Sequence, residues 1–260
     1  MFCDLTQCDA KTLPGSSMLE PASKAPYPNT RKRFVYGNGR SSRHSTVFAN
    51  HHAGERPMKV PTVSKFIAHW HKLRLNLPMA WQVTHDSHHQ VMALLGRLPP
   101  GYRRQGDCAV HETATVETGA VLKGPIIIGA GCFVAAGAYL RGGVYLGRQC
   151  IVGPSCEVKS SFMLDGSKLA HFNFVGDSLI GANVNVEAGA IIANYRNELD
   201  GAPIRIRHGD KVIETAVSKF GALIGDGCKI GANAVIAPGA LLLPGTQVPR
   251  LGLIDQFAYD

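Results

Sequence analysis

The chain has 260 residues, 45% of them hydrophobic and 18% charged, with a formal net charge of +8 and a mean hydropathy near zero. This excludes a wholly disordered chain, and the length allows one large domain or one domain with appendages. No run approaches the roughly 18 apolar residues that cross a bilayer, and the seven cysteines include no CxxC pair, which argues against a disulfide framework or a zinc ribbon.

Residues 1–60 carry nine Lys/Arg against four acids, a net +5, in a stretch with no periodic apolar face. No aromatic-basic interleaving or nucleic-acid motif accompanies the charge, so a disordered basic tail is expected, with no nucleic-acid partner. The opening Met1-Phe2-Cys3-Asp4-Leu5 lacks a basic region leading into an apolar one. Together with the missing spanning segment, this predicts a cytoplasmic protein with no membrane partner.

Residues 61–105 read as a helical cap segment. Phe66, Trp70, Leu73 and Leu77 recur at helical spacing before Pro78, and Val91, Leu94, Leu95 and Leu98 do so before Pro99-Pro100. Two short α-helices are predicted, closing an end of the following domain or lying along one of its faces. His85, His88 and His89 share a helix face, but no cysteine or carboxylate set completes a metal site, and no metal is expected.

From residue 106 the pattern changes. Aliphatic residues recur at every sixth position: Val110, Val116, Leu122, Ile128, Val134, Leu140, Leu146, Val152, Val158 and Leu164. The period returns at Ile180, Val186 and Ile192, and again at Ile224, Ile230, Ile236, Leu242 and Val248. Four residues after most of these comes a small side chain such as Ala138, Cys132, Cys150, Cys156 or Cys228, with Gly, Asn or Pro crowding the corners, as in Ile128-Gly129-Ala130-Gly131-Cys132.

A period of six is neither helical nor an alternation. It fits an all-β parallel β-helix in which three hexapeptides close one triangular coil of about 18 residues and each coil buries its face on its neighbours. About six coils over 106–250 are predicted, followed by a short C-terminal tail, 251–260. The ladder cysteines are then small inward side chains, buried and reduced.

Two stretches leave the period, 165–179 and roughly 195–222, the second rich in charge (Arg196, Glu198, Asp200, Arg205, Arg207, His208, Lys211, Lys219). Departures from a repeat form loops on one face and tend to carry function. Arg205, Arg207 and Lys211 are equally consistent with a phosphate grip and with a solvated loop.

The ladder as a whole resembles the hexapeptide-repeat acyltransferases. The runs His171-Phe172-Asn173-Phe174-Val175-Gly176-Asp177, Ala193-Asn194-Tyr195 and Lys219-Phe220-Gly221-Ala222-Leu223-Ile224-Gly225-Asp226 are closer still. They are similar to the acetyltransferase half of the bifunctional N-acetylglucosamine-1-phosphate uridyltransferase and of archaeal-type sugar-1-phosphate nucleotidylyltransferases, over about 108–250. The resemblance implies a left-handed β-helix, against the usual right-handed crossover, and a homotrimer with its cleft between subunits. It also implies a CoA-dependent acyltransferase, with acetyl-CoA or another acyl-CoA as co-substrate and an amino-sugar phosphate or nucleotide sugar as acceptor. No nucleotidyltransferase signature precedes the ladder, so nucleotidyl transfer is expected to be absent.

Acyl transfer from a thioester to an amine needs a base for the amine proton and donors for the tetrahedral oxyanion. Imidazole suits the first role, and the resemblance makes His171 the general base. It places Lys159 and Asn185 on the sugar phosphate and hydroxyls, Asn194 and Tyr195 along the acceptor pocket, and Ala188 and Ala232 along the cleft for the CoA arm. Phe174 stands where the related enzyme has a substrate-binding tyrosine, which removes one hydroxyl. That departure keeps open an alternative, a non-catalytic sugar-phosphate-binding or scaffold protein of the same fold. O- rather than N-acylation is also left open.

Overall fold

A computed structural model describes residues 61–257. The expected basic tail, 1–60, lies outside the described residues. From Cys108 the chain winds as a parallel β-solenoid with three flat faces. Face A is an eight-stranded sheet: an antiparallel edge strand, Tyr102–Gln105, followed by seven parallel strands from Cys108–His111 to Ala240–Leu242. Faces B and C each have seven parallel strands, running from Thr115–Val116 to Gln247–Val248 and from Val121–Lys123 to Leu253–Ile254. The last of these strands lies in the stretch read as a C-terminal tail, so the solenoid continues past residue 250.

The aliphatic ladder lines the interior. Val134, Leu140, Leu146, Val152 and Val158 are fully buried in one cluster that runs the length of the prism. Cys132, Cys150, Cys156 and Cys228 lie in that cluster as free thiols. The Cys132 sulfur beside it and burial push the Cys150 thiol up, and burial pushes up those of Cys156 and Cys228. All three are held in the unreactive thiol form.

One expectation is corrected. Residues 165–179 are not a loop but most of a regular coil, with strands Lys168–Leu169 and Phe174–Gly176 in register with their neighbours. The phase slips because this part of the solenoid uses 17 residues per coil: Leu146 pairs with Met163, Val152 with Leu169 and Val158 with Val175. The missing residue is taken from the corner joining face C to face A, where Ser160 and Asp177 turn at φ 49° and 44°. Met163, not Leu164, therefore points inward, and Leu164 packs on the outside of face A.

The outward rows decide what covers each face. On face A the row is Ala109, Ile127, Tyr145, Phe162, Leu179, Leu223 and Leu241, apolar throughout. Such a face requires a second layer, and the 61–98 segment supplies it. The predicted first helix is two 3₁₀ turns, Val63–Lys65 and Trp70–Leu73; the second is a pair of α-helices, α1 (Ala80–His85) and α2 (Ser87–Leu95). These elements lie along face A. Trp70 meets Phe162 edge-on at 6.1 Å, and Ser87 Oγ donates to Gly142 O at 2.8 Å. At Gly143 (φ 92°) a Cβ would stand 2.6 Å from the Ser87 backbone, so only glycine admits α2 this close.

The charged departure, 195–222, contains a 3₁₀ turn and a hairpin, Arg205–His208 with Lys211–Glu214. Its apolar members Ile204, Ile206, Ile213 and Phe220 join the outer cluster, with Phe220 against Trp81 at 6.2 Å. Burying each large aromatic here contributes on the order of 2–3 kcal/mol. Among the described residues no helix is long and apolar enough to cross a membrane.

Candidate active site

The predicted site residues fall mainly on the two corners that flank face C. At the C/A corner, three successive coils stack Lys159, Asp177 and Asn194. Lys159 Nζ lies 2.6 Å from Asp177 Oδ2, and the Asn194 side-chain amide donates to the same oxygen. The pair is largely withdrawn from water, with side chains 17% and 7% exposed. A Cβ at Gly176 would meet the Asn194 side chain at 2.7 Å, so this glycine makes room for the cluster. The returning end of the insertion closes over it, with Phe220 N–H on Asn194 O at 3.0 Å and Gly221 N–H on Asp177 O at 2.9 Å.

Sequence reasoning named Lys159 and Asn194 but missed Asp177, which joins them. The signal was present: Asp177 sits at the second phase slip. It also missed Arg141, which lies in register beside Lys159 and pairs with Glu157 at 2.6 Å. Arg141 and Lys123 both lie over the Tyr139 ring, at 5.6 and 5.1 Å.

At the B/C corner, His171, Ala188 and Ala232 form a second column. Gly189 N–H donates to His171 O at 2.8 Å, Asn233 N–H to Ala188 O at 3.0 Å, and Leu251 N–H to Ala232 O at 2.9 Å. Buried Asn173 pins the corner by donating to Glu187 O and Ala190 O. Glu187 accepts from Ala232 N–H at 2.9 Å and from Arg250 at 2.8 and 2.9 Å. The Arg250 guanidinium, with the Ala232 N–H, holds its carboxyl below the usual range. The His171 ring is exposed, and among the described residues no side chain hydrogen-bonds it.

The remaining predicted residues are not gathered into either column. Phe174 lies half-buried on the outward row of face C, between Glu157 and Ile191. Asn185 is exposed on face B between Lys168 and Lys229. Tyr195, 38% exposed, follows Asn194 into the insertion. Of the predicted phosphate grip, Arg205 and Arg207 stack on Phe257 at 4.8 and 5.0 Å.

The columns stand apart. Phe172 N–H donates to Pro154 O at 3.2 Å, which puts Pro154 beneath the His171 corner. Lys159 then ends the face C strand Glu157–Lys159 that follows this corner, so the two columns stand at opposite ends of a strand.

The repeat and these coils have counterparts in known proteins. The family model "Bacterial transferase hexapeptide (six repeats)" matches residues 125–160, and "Hexapeptide repeat of succinyl-transferase" matches 217–242. This is a hexapeptide-repeat solenoid. It is homologous to the acetyltransferase half of bifunctional sugar-1-phosphate nucleotidylyltransferases. A bifunctional sugar-1-phosphate nucleotidylyltransferase/acetyltransferase of Sulfurisphaera tokodaii is 35% identical over 162 residues, 60% of this chain and 40% of that protein. The bifunctional protein GlmU of Methanococcus maripaludis is 37% identical over 101 residues, 39% of this chain and 24% of that protein. The hexapeptide-repeat chain thus spans well under half the length of these curated relatives. A crystal structure of a mutant of AntD, an N-acyltransferase from Bacillus cereus, with dTDP and coenzyme A, is 14% identical with a TM-score of 0.25, covering 60% of this chain and 80% of that one. That likeness is too loose to bear on this chain.

Proposed function

We propose that the chain is an acyl-CoA-dependent acyltransferase, acting on an amino-sugar phosphate or nucleotide sugar, whose site forms between two copies in a homotrimer. The observation that carries this reading is the placement of the two columns on opposite edges of face C. The row between them is Val121, Tyr139, Glu157, Phe174, Ile191, Val235 and Leu253. Val121, Ile191, Val235 and Leu253 are 47%, 40%, 37% and 57% exposed. A flat, largely apolar face of this kind suits packing around a threefold axis. Such packing brings the His171 edge of one copy to the Lys159 edge of the next.

In that site the acceptor ammonium first gives up one proton to solvent, and the neutral nitrogen attacks the thioester carbonyl. The N–C bond forms while His171 takes the second proton from that nitrogen; the C–S bond breaks, and His171 passes this proton to the departing CoA thiolate. Lys159, held by Asp177, faces the acceptor phosphate, with Asn194 beside it. The small side chains of Ala188 and Ala232 leave the corner backbone open to an extended CoA arm. Phe174 contributes apolar surface only, so the acceptor loses one polar anchor there. The second reading, a sugar-phosphate binder without turnover, draws on that loss and on the unpartnered imidazole. Acetyl-CoA consumption, followed with amino-sugar phosphates and with the free amino sugars, separates the two. Turnover that prefers a phosphorylated acceptor supports the transferase; tight acceptor binding without thiol release supports the binder.

A further inference from the structure

The third corner of the prism, between faces A and B, holds a cleft of ≈750 Å³ that neither column uses. One wall is the 61–98 segment and the other is the solenoid corner. The volume is that of a small-molecule site. Its floor is apolar and aromatic, from Leu94, Leu98, Leu164, Tyr102 and Tyr145. Burial holds both phenols above the usual tyrosine range, so they stay protonated and able to donate.

The rim is net cationic, with Lys72, Arg74, Arg97 and Arg148 against Asp165 and Asp226. Lys72, Arg74 and Arg97 line the cleft, and among the described residues none of them makes an ion pair. The acids that face it are already engaged. Asp226 accepts from Ala182 N–H at 2.7 Å and Ala68 N–H at 2.9 Å. Asp165 accepts from the Arg148 backbone and guanidinium at 2.8 and 3.0 Å. Arg97 is held in place by a bond from Nε to Ala93 O at 3.2 Å, and Arg74 turns at φ 49°. Three cations around an apolar floor call for an anion with a flat body.

We propose that this cleft is a separate binding site for a nucleoside phosphate, its phosphates on Lys72, Arg74 and Arg97 and its base over Tyr102, Tyr145 and Leu164. The site does not depend on the transferase reading. On face C packing, the A/B corner lies farthest from the axis and stays open.

The test is titration calorimetry of the full chain with ADP, without CoA (itself a nucleoside phosphate that would compete), alongside inorganic pyrophosphate. ADP should bind once per chain, more weakly at higher salt. Lys72→Glu and Arg97→Glu, both exposed positions, should each weaken binding about tenfold or more with unchanged melting temperature. Lys159→Ala and His171→Ala should leave it unaltered. Pyrophosphate should bind more weakly than ADP, because it leaves the floor unused. Absent ADP binding, binding indifferent to both charge reversals, binding lost in Lys159→Ala, or pyrophosphate binding as tight as ADP would each overturn the proposal.

Discussion

The two corners that flank face C are built in opposite ways. At the C/A corner a cation, a carboxylate and an amide interlock under the insertion, and the coil is one residue short. At the B/C corner the imidazole stands in solvent on a column of small residues, with only its backbone engaged. One corner is organised before any ligand arrives; the other lacks whatever would orient its imidazole. A general base usually has such a partner, so on the proposed mechanism the contrast points to a neighbouring molecule as the supplier of the missing contacts.

Substitutions at each corner sharpen the contrast. The largest effect is expected at His171. His171→Ala should lower kcat about 10²–10⁴-fold with acceptor affinity nearly unchanged, and the melting temperature should hold, since the residue is exposed. The residual rate should rise with pH, as the acceptor amine loses its proton unaided. A rate close to wild type would remove His171 from the mechanism.

Asp177→Ala should behave differently, costing about 3 kcal/mol of folding stability because it leaves Lys159 unpaired in a largely buried position. It should also raise KM for phosphorylated acceptors as Lys159 and Asn194 lose their common anchor. Denaturant unfolding together with KM for the phosphorylated and the free sugar would check both. A variant as stable as wild type would show that the buried pair contributes little.

Away from the corners, the ladder interior should be intolerant of volume. Cys150→Phe is expected to cost about 1–3 kcal/mol, and native protein should resist thiol reagents at Cys132, Cys150, Cys156 and Cys228 until it unfolds. Rapid native labelling of all four would contradict the inward assignment.

The smallest effect concerns Glu187 and Arg250. The Glu187 carboxyl is depressed in the folded state, so its contribution exists above the ordinary glutamate range and disappears as pH falls through the lower folded value. Glu187→Gln should therefore melt slightly earlier than wild type at neutral pH, with the gap closing in acid. A gap that persists below the carboxylate range would assign the effect to something other than charge.

Much of the solenoid was legible because its constraint is local and repeated. Val110 to Val158 each face inward as their sixfold spacing requires, and the cysteines fit where small residues are needed. The two helical stretches were visible from Trp70 and Leu94, and the structure adds what they cover. Their partner is the outward row of face A, an apolar row that the inward ladder conceals because only the inward positions of each hexapeptide were tracked. Residues 165–179 looked like a loop because two deleted residues, at the Ser160 and Asp177 turns, each shift the phase of everything after them. The spatial neighbours of Lys159 were within reach of the sequence: Asp177 and Arg141 lie 18 residues away on either side, one predicted coil above and below, but the repeat was read only for its inward residues.

The central claim, that one site takes His171 from one copy and Lys159 from another, is tested most directly by subunit complementation. His171→Ala and Lys159→Ala chains would be co-expressed in equal amounts, and acetyl-CoA consumption measured at an acceptor concentration well below KM. Random mixing in a ring leaves about a quarter of the sites with both residues intact, so activity should return to about a quarter of wild type, far above either variant alone. Activity that stays at the average of the two variants would place both residues in a single-chain site and contradict the account.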